Sequence, residues 1–492
     1  MTESEFLALG SAGCNRVPLE LETLADLDTP LSIYLKLAAR PGSYLLESVI
    51  GGERFGRYSI VGLPAREYLE CRGRRARVVR DGVAVEEVET GDPLAFVDRY
   101  LKSFRAAPLP PGLRFAGGLA GYLGYDTVRF VEPHLAKDAR PDPLGLPEIR
   151  LLLSEELAVV DNLSGKLHLV VYADPSVPGA YAAARRRLED LRAMLRRPAA
   201  LPPHSAPPSL EAPRSNIGRA AFEEAVARSK RYIVEGDIFQ VQVSQRLTQP
   251  FSGAPINLYR ALRSINPSPY MFFFDFGDCQ LVGASPEILV RREGNTVTLR
   301  PIAGTRKRGS TPEKDAAMER ELVSDPKERA EHVMLIDLGR NDLGRIAKTG
   351  TVKVTETMVV ERYSHVMHMV SNVEGEVDPS LSAMGLLRAT FPAGTVTGTP
   401  KVRAMEVIDE LEPERRGVYA GAAGHISFQG NVDLAIAIRT GVIKDGNLHV
   451  QAAAGIVADS IADNEWRETQ NKARALLAAA EQVHAGVDRP LE

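Results

Sequence analysis

Two carboxylate pairs stand one helical turn apart: Glu328 with Glu331, and Glu465 with Glu468. Residues three apart share a helix face, so each pair presents its two carboxylates together. Asp325 is placed to cap the first helix, Pro326 to take its first position, and Glu328 stands at capping-box spacing. Acidic side chains near a helix N-terminus commonly do no more than complement the dipole. Two such pairs could also converge on one Mg²⁺, a hard cation that takes oxygen ligands and keeps water or substrate in its shell. A second feature is segment 391–401, Phe-Pro-Ala-Gly-Thr-Val-Thr-Gly-Thr-Pro-Lys, ahead of a strong helical pattern. Its amides, threonine hydroxyls and Lys401 could hold an anion, and a tight loop with an exposed lysine accounts for it equally well. The third feature is Arg439, set in an apolar strand pattern. A buried arginine demands a carboxylate, from the protein or from a ligand. Together these residues point to a metal-assisted enzyme acting on a small polycarboxylate.

The elements that must position them are short apolar runs of strand length separated by turns, with helical patterns between. Helices are predicted over 94–104, 180–197, 219–235, 255–265, 326–338, 381–389, 401–411 and 465–485. Asp81-Gly82 between two strand patterns predicts a hairpin. Without a regular βαβ rhythm, the pattern predicts an α+β fold with largely antiparallel sheets. The Pro- and Ser-rich segment 198–218 reads as a linker between an N-terminal domain, 1–197, and a larger C-terminal domain, 219–492. A net charge of −4 and a 25% charged, 44% hydrophobic composition argue against nucleic-acid or polybasic membrane partners. No apolar run approaches the ~18 residues of a membrane span, and no basic n-region opens the chain. Cys14, Cys71 and Cys279 lie far apart and form no CxxC, which fits a reducing cytoplasm and excludes a cysteine zinc site.

The same residues fall within motifs that resemble the chorismate-utilising enzymes, and among them the component I branch of the anthranilate synthases. The motifs are Arg300-Pro-Ile-Ala-Gly-Thr-Arg306, Asp325-Pro-Lys-Glu-Arg-Ala-Glu-His332, Asp337-Leu-Gly-Arg-Asn-Asp342, Glu361-Arg-Tyr-Ser-His-Val-Met-His368, the loop 394–401, Ile436-Ala-Ile-Arg-Thr440 and Gly455-Ile-Val-Ala-Asp-Ser460. The resemblance implies two α/β domains built on a β-sandwich with flanking helices, and an active site in the cleft between the layers.

The resemblance also assigns roles. Glu331 and Glu468 are implied as Mg²⁺ ligands, with Glu328 and Glu465 beside them, the metal meeting the ring carboxylate of chorismate. Arg439 and Tyr419 are implied at the enolpyruvyl carboxylate, with Gly455 and the neighbouring amides of Ala453 and Ala454. Thr395 is implied at the ring end, with Lys401 on the same loop. His368 and Glu287 are implied beside the departing C4 hydroxyl. Gln240 stands where isochorismate and salicylate synthases carry a lysine base, and Ala303 where aminodeoxychorismate synthases carry a lysine nucleophile. A neutral Gln cannot deprotonate water but can hydrogen-bond ammonia. Attack by ammonia at C2 and elimination of pyruvate, giving anthranilate as the first step towards tryptophan, are therefore expected. Alternatives are a sibling that makes aminodeoxyisochorismate or aminodeoxychorismate, and a catalytically silent tryptophan-binding regulator.

Leu45-Leu-Glu47-Ser48, with 266–272, resembles the tryptophan feedback pocket of the family. Pro269, Tyr270 and Met271 would form an apolar slot for an indole, and Glu47, beside Ser48, would take its amino group. No reactive-cysteine elbow is evident, so a separate glutamine amidotransferase subunit, component II, is expected to deliver ammonia. Three positions depart from the family pattern: Thr399, Ala453, and His425 where a tyrosine is common.

Overall fold

The computed structural model describes residues 1–49, 56–110, 112–136, 140–203, 211–362 and 366–487. Positions 204–210 of the expected linker and 363–365 of the motif 361–368 lie outside the described residues.

Among the described residues, two twelve-stranded antiparallel sheets face one another. The first runs Val17–Leu24, Lys166–Ala173, Glu156–Asp161, Tyr58–Gly62, Ser43–Glu47, Tyr270–Asp275, Gln280–Ser285, Thr440–Lys444, Asn447–Ile456, Gln240–Pro250 and Arg214–Ser215, with Gly398–Thr399 also on Gln240–Pro250. The second runs Ile302–Lys307, Val366–Glu376, Thr296–Leu299, Ile288–Glu293, Val432–Ile436, Ala422–Ser427, Gly118–Leu123, Ile149–Ser154, Glu67–Arg72, Arg75–Arg80 and Val83–Glu89, with Lys353–Arg362 on Val366–Glu376. Both sheets draw strands from either side of segment 198–218. The Asp81-Gly82 hairpin forms as its type demands, with φ of 49° and 80°.

Alternation along the strands builds two cores. In Tyr270–Asp275, Phe272 and Phe274 enter the core between the sheets, while Met271 and Phe273 pack under the helices on the outer face. Those helices include Pro30–Leu37, Ala180–Leu195, Pro255–Ile265 and Ala462–Ala485. The predicted helices 255–265 and 401–411 form at those bounds, and 326–338 extends to Pro326–Gly344. Asp325 caps that helix by accepting from the amides of Lys327 and Glu328. Helix Pro312–Ser324 was not legible from the pattern. No helix among the described residues is long and apolar enough to cross a membrane.

Among the described residues several short connections carry the chain between the sheets, Glu155 alone joining Ile149–Ser154 to Glu156–Asp161, and two of them lie side by side. Residues 286–287 lead from Gln280–Ser285 in the first sheet to Ile288–Glu293 in the second, and residues 437–439 return from Val432–Ile436 to Thr440–Lys444. The expected single strand through Arg439 is thus two strands in different sheets. Arg439 takes φ 50°, a left-handed conformation that non-glycine residues rarely adopt. The crossings are hydrogen-bonded together: Ala284 N donates to the Arg439 carbonyl at 3.1 Å, and Ile436 N to the Glu287 carbonyl at 3.0 Å.

Candidate active site

The crossings open into a cavity of about 890 Å³, counted to its open mouth. Eight of the residues singled out in the sequence line it: Gln240, Glu287, Glu331, His368, Thr395, Tyr419, Arg439 and Ala453. Ala303 lines it as well.

Arg439 is the electrostatic focus. Burial holds its guanidinium below the usual arginine range, and among the described residues no acceptor lies within hydrogen-bond distance of it. A cation so placed is stabilised by an anion brought in from outside. The Tyr419 hydroxyl faces the same space, its pKa pushed up to about 12 by burial. Opposite in character is Glu287. Burial raises its carboxyl to about 8, against which the hydroxyl of Thr395, donating at 3.0 Å, works in the lowering direction. Glu287 is therefore mainly a neutral acid at pH 7. His368 approaches the Gly304 carbonyl at 3.1 Å and the Thr305 hydroxyl at 3.0 Å through Nδ1. The carbonyl can only accept, so Nδ1 carries the proton. Burial lowers the pKa of this histidine, which makes it a neutral ring at pH 7 rather than an acid. Gly304 has φ 70°, and a Cβ there would lie 2.8 Å from Leu322 Cδ1.

Helices Pro326–Gly344 and Ala462–Ala485 bring their acidic pairs into one field. Burial raises the Glu331 carboxyl, with Glu328 and Glu468 adding to the rise. Burial also raises Glu465, with Glu468 adding to it. Positive charge moderates the cluster. Arg306 donates to Glu328 at 2.9 Å, and Lys472 donates to Glu468 at 2.6 Å and to the Ala453 carbonyl at 2.9 Å. Among the described residues, no three His, Cys, Asp or Glu side chains form a closed metal-binding group as they stand. The donor set nevertheless fits a hard divalent cation. It is all carboxylate, comes from two helices, and contains groups raised first by burial and further by one another. Ile461 holds the N-cap position of the second helix, and Asp463 pairs with Arg219 and Arg467 in the first turn.

Two expectations change. Lys401 does not reach the cavity: its ammonium lies 2.8 and 2.9 Å from the Asp342 carboxylate oxygens, tying helix Lys401–Leu411 to Pro326–Gly344. The 394–401 loop is likewise no anion cradle. Thr397 donates to the Ala393 carbonyl at 2.9 Å, and of the loop only Thr395 and Val396 line the cavity. Gly455 and Ala454 sit on strand Asn447–Ile456, opposite Gln242 and Val243. Sequence reasoning missed Lys472 and Gln242, both lining the cavity. Each carried a signal: Lys472 stands one turn after Glu468, and Gln242 two residues along a strand from Gln240, on the same face.

A second cavity, of about 970 Å³, borders Glu47, Ser48, Pro269, Tyr270 and Met271. Glu47 and Met271 are register partners on the helix-covered face of the first sheet. The Glu47 carboxylate accepts from Tyr259 and pairs with Arg263 at 3.1 Å, so it is already engaged by the protein rather than free to take an amino group as expected. Arg291 pairs with Asp433 at 2.9 Å and donates to the Tyr270 hydroxyl at 2.9 Å. His425 stacks on Phe115 at 4.0 Å, and burial holds its pKa near 4.

A family model described as chorismate binding enzyme matches residues 66–478. The chain is 56% identical over 492 residues to anthranilate synthase component 1 of Neisseria meningitidis serogroup B, covering 99% of this chain and 100% of that protein. It is 56% identical over 493 residues to anthranilate synthase component 1 of Pseudomonas aeruginosa, with the same coverage. The crystal structure of anthranilate synthase component I from Streptococcus pneumoniae superposes with a TM-score of 0.76 at 38% identity, covering 92% of this chain and 98% of that one.

Proposed function

The chain belongs to the chorismate binding enzymes, in their anthranilate synthase component 1 branch, and from that premise we propose that it aminates chorismate at C2 with ammonia and eliminates pyruvate to yield anthranilate. The observation that carries this reading is Arg439, a buried guanidinium without a partner among the described residues, in the cavity that also holds the protonated Glu287. Arg439 and Tyr419 bind the enolpyruvyl carboxylate. Glu287 gives its proton to the C4 hydroxyl as it leaves, and His368 orients that hydroxyl. Glu331 and Glu468, flanked by Glu328 and Glu465, would hold Mg²⁺, which supplies charge neutralisation at the ring carboxylate and draws electron density towards it. Ala303 and Gln240 remove the lysines that would favour other nucleophiles. A component named 1 in the relatives implies a second component. Here that partner is a glutamine amidotransferase subunit that supplies ammonia. The second cavity takes tryptophan as a feedback inhibitor.

The test is incubation of the purified chain with chorismate, Mg²⁺ and ammonium. Fluorescent anthranilate and released pyruvate are expected. A folded chain that yields neither overturns the reading. An aminated product that keeps its enolpyruvyl group would reassign the chain to a sibling activity. Glu331→Gln and Glu468→Gln should each abolish Mg²⁺ binding in calorimetry while leaving tryptophan binding intact.

A further inference from the structure

Behind the cavity wall lies another buried arginine, Arg416, in the connection between helix Lys401–Leu411 and strand Ala422–Ser427. It is 2% exposed and stands outside the cavity lining. Its guanidinium pairs with Glu412 through Nε at 2.9 Å and Nη2 at 2.7 Å. The same group donates through Nη1 to the Val396 carbonyl and through Nη2 to the Gln242 carbonyl, each at 2.7 Å. Its carbon stands 5.6 Å from the ring centre of Tyr419 and 4.8 Å from that of Tyr125, within cation–π range. Gln242, Val396 and Tyr419 all border the cavity, and each comes from a different element. The edge of strand Gln240–Pro250 shows how the arginine acts. Gly398–Thr399 pairs with that edge only at Gln240 and Val241, and Arg214–Ser215 only at Leu247 and Thr248. At Gln242 and Ser244 the edge is completed without a strand. The Gln242 N–H donates to the Thr397 carbonyl at 2.8 Å, the Gln242 carbonyl accepts from Arg416, and the Ser244 N–H donates to Glu412 Oε1 at 2.8 Å. An arginine–glutamate pair thus satisfies backbone groups that a neighbouring strand would otherwise take.

We propose that Arg416 is a positioning residue for the enolpyruvyl end of chorismate, acting through Tyr419. This rests on the reading of the cavity given above. One planar group sets a strand, a loop and a tyrosine ring relative to one another, at the end of the cavity assigned to the enolpyruvyl carboxylate. The two buried arginines divide by their partners. Arg439 has its charge available to a ligand, whereas Arg416 is matched by Glu412 and directs its other hydrogen bonds to backbone. A lysine cannot take over the task. Its ammonium presents every donor from one atom, while Glu412 and Val396 lie on different sides of the guanidinium fork.

A double-mutant cycle on chorismate kinetics tests this. Arg416→Lys should raise KM for chorismate about tenfold, the scale of one charged hydrogen bond, with kcat little changed. Tyr419→Phe should raise it by a similar factor. Because the first substitution acts through Tyr419, the double variant should show about the larger single effect and not the product of the two. Multiplied effects overturn the proposal, as does an unchanged chorismate KM. A fall in kcat at constant KM overturns it too, and gives Arg416 a purely structural role. Should Arg416→Lys fail to fold, Arg416→Gln combined with Glu412→Gln leaves no buried charge unpaired and provides the same cycle. A parent chain that binds chorismate in calorimetry without making anthranilate refutes the amination reading, and the chorismate Kd then carries the cycle. A parent that does not bind chorismate overturns both.

Discussion

Glu287 is a carboxyl group whose surroundings, not its type, make it an acid. A carboxyl at about 8 is protonated at neutral pH and loses its proton as pH rises through that value. With free ammonia held saturating, turnover should therefore fall on the alkaline side of about pH 8. Glu287→Gln, which keeps the shape but has no acidic proton, should lower kcat by about 10²–10⁴ and remove that alkaline limb. A pH–rate profile of parent and variant checks both. His368 beside it is the reverse case. Its lowered pKa and Nδ1 contact leave it neutral, so replacing it should not move the same limb. The residue types at these positions were legible in the sequence. Their protonation states were not, because burial comes from chain segments hundreds of residues apart.

At the scale of elements, the site is made by connections rather than by the elements themselves. Glu287 and Arg439 occupy two adjacent places where the backbone changes sheets, and the loop carrying Thr395 is anchored by the helix after it. Lys401 does that anchoring from a position 11% exposed, against Asp342 at 7%. Removing one partner leaves a buried charge uncompensated, so Lys401→Ala should destabilise the chain by about 3 kcal/mol or more in denaturant unfolding, while chorismate KM changes little. A lysine that touched substrate would show the opposite pattern. Helices 255–265 and 401–411 were legible to the residue because apolar period, proline and turn signals agree there. The split at 437–439 was not. Ala437, Ile438 and Arg439 extend an apolar strand pattern without a glycine or proline to mark the break, and the left-handed turn is imposed by the neighbouring crossing. Helix Pro312–Ser324 was missed for a related reason: it is mostly polar, burying only Asp315 and Leu322, and gives little periodicity to read.

Over the whole molecule, two cavities share one pair of strands. Arg291 and Asp433, which border the second cavity, lie on Ile288–Glu293 and Val432–Ile436, and these run directly into the crossings that hold Glu287 and Arg439. A ligand that changes the spacing of these strands changes the active site through a few residues of backbone. On the proposed reading, tryptophan should weaken chorismate binding, and chorismate should weaken tryptophan binding by the same factor. Calorimetry of each ligand with and without the other checks this, and unequal factors would show that the two do not act on one equilibrium. The antiparallel layered class was visible in the sequence. The mixing of both chain halves in each sheet was not, because strand order depends on pairings that no local pattern encodes. A last consequence follows from the lone guanidinium at the second crossing. The folded chain keeps a charge in its interior, and on the proposed reading the substrate's carboxylate completes it. Binding to the native form alone adds stability in proportion to the logarithm of ligand concentration. On the proposed reading, chorismate should therefore raise the resistance of the chain to unfolding and to proteolysis, and thermal melts across a chorismate series check it.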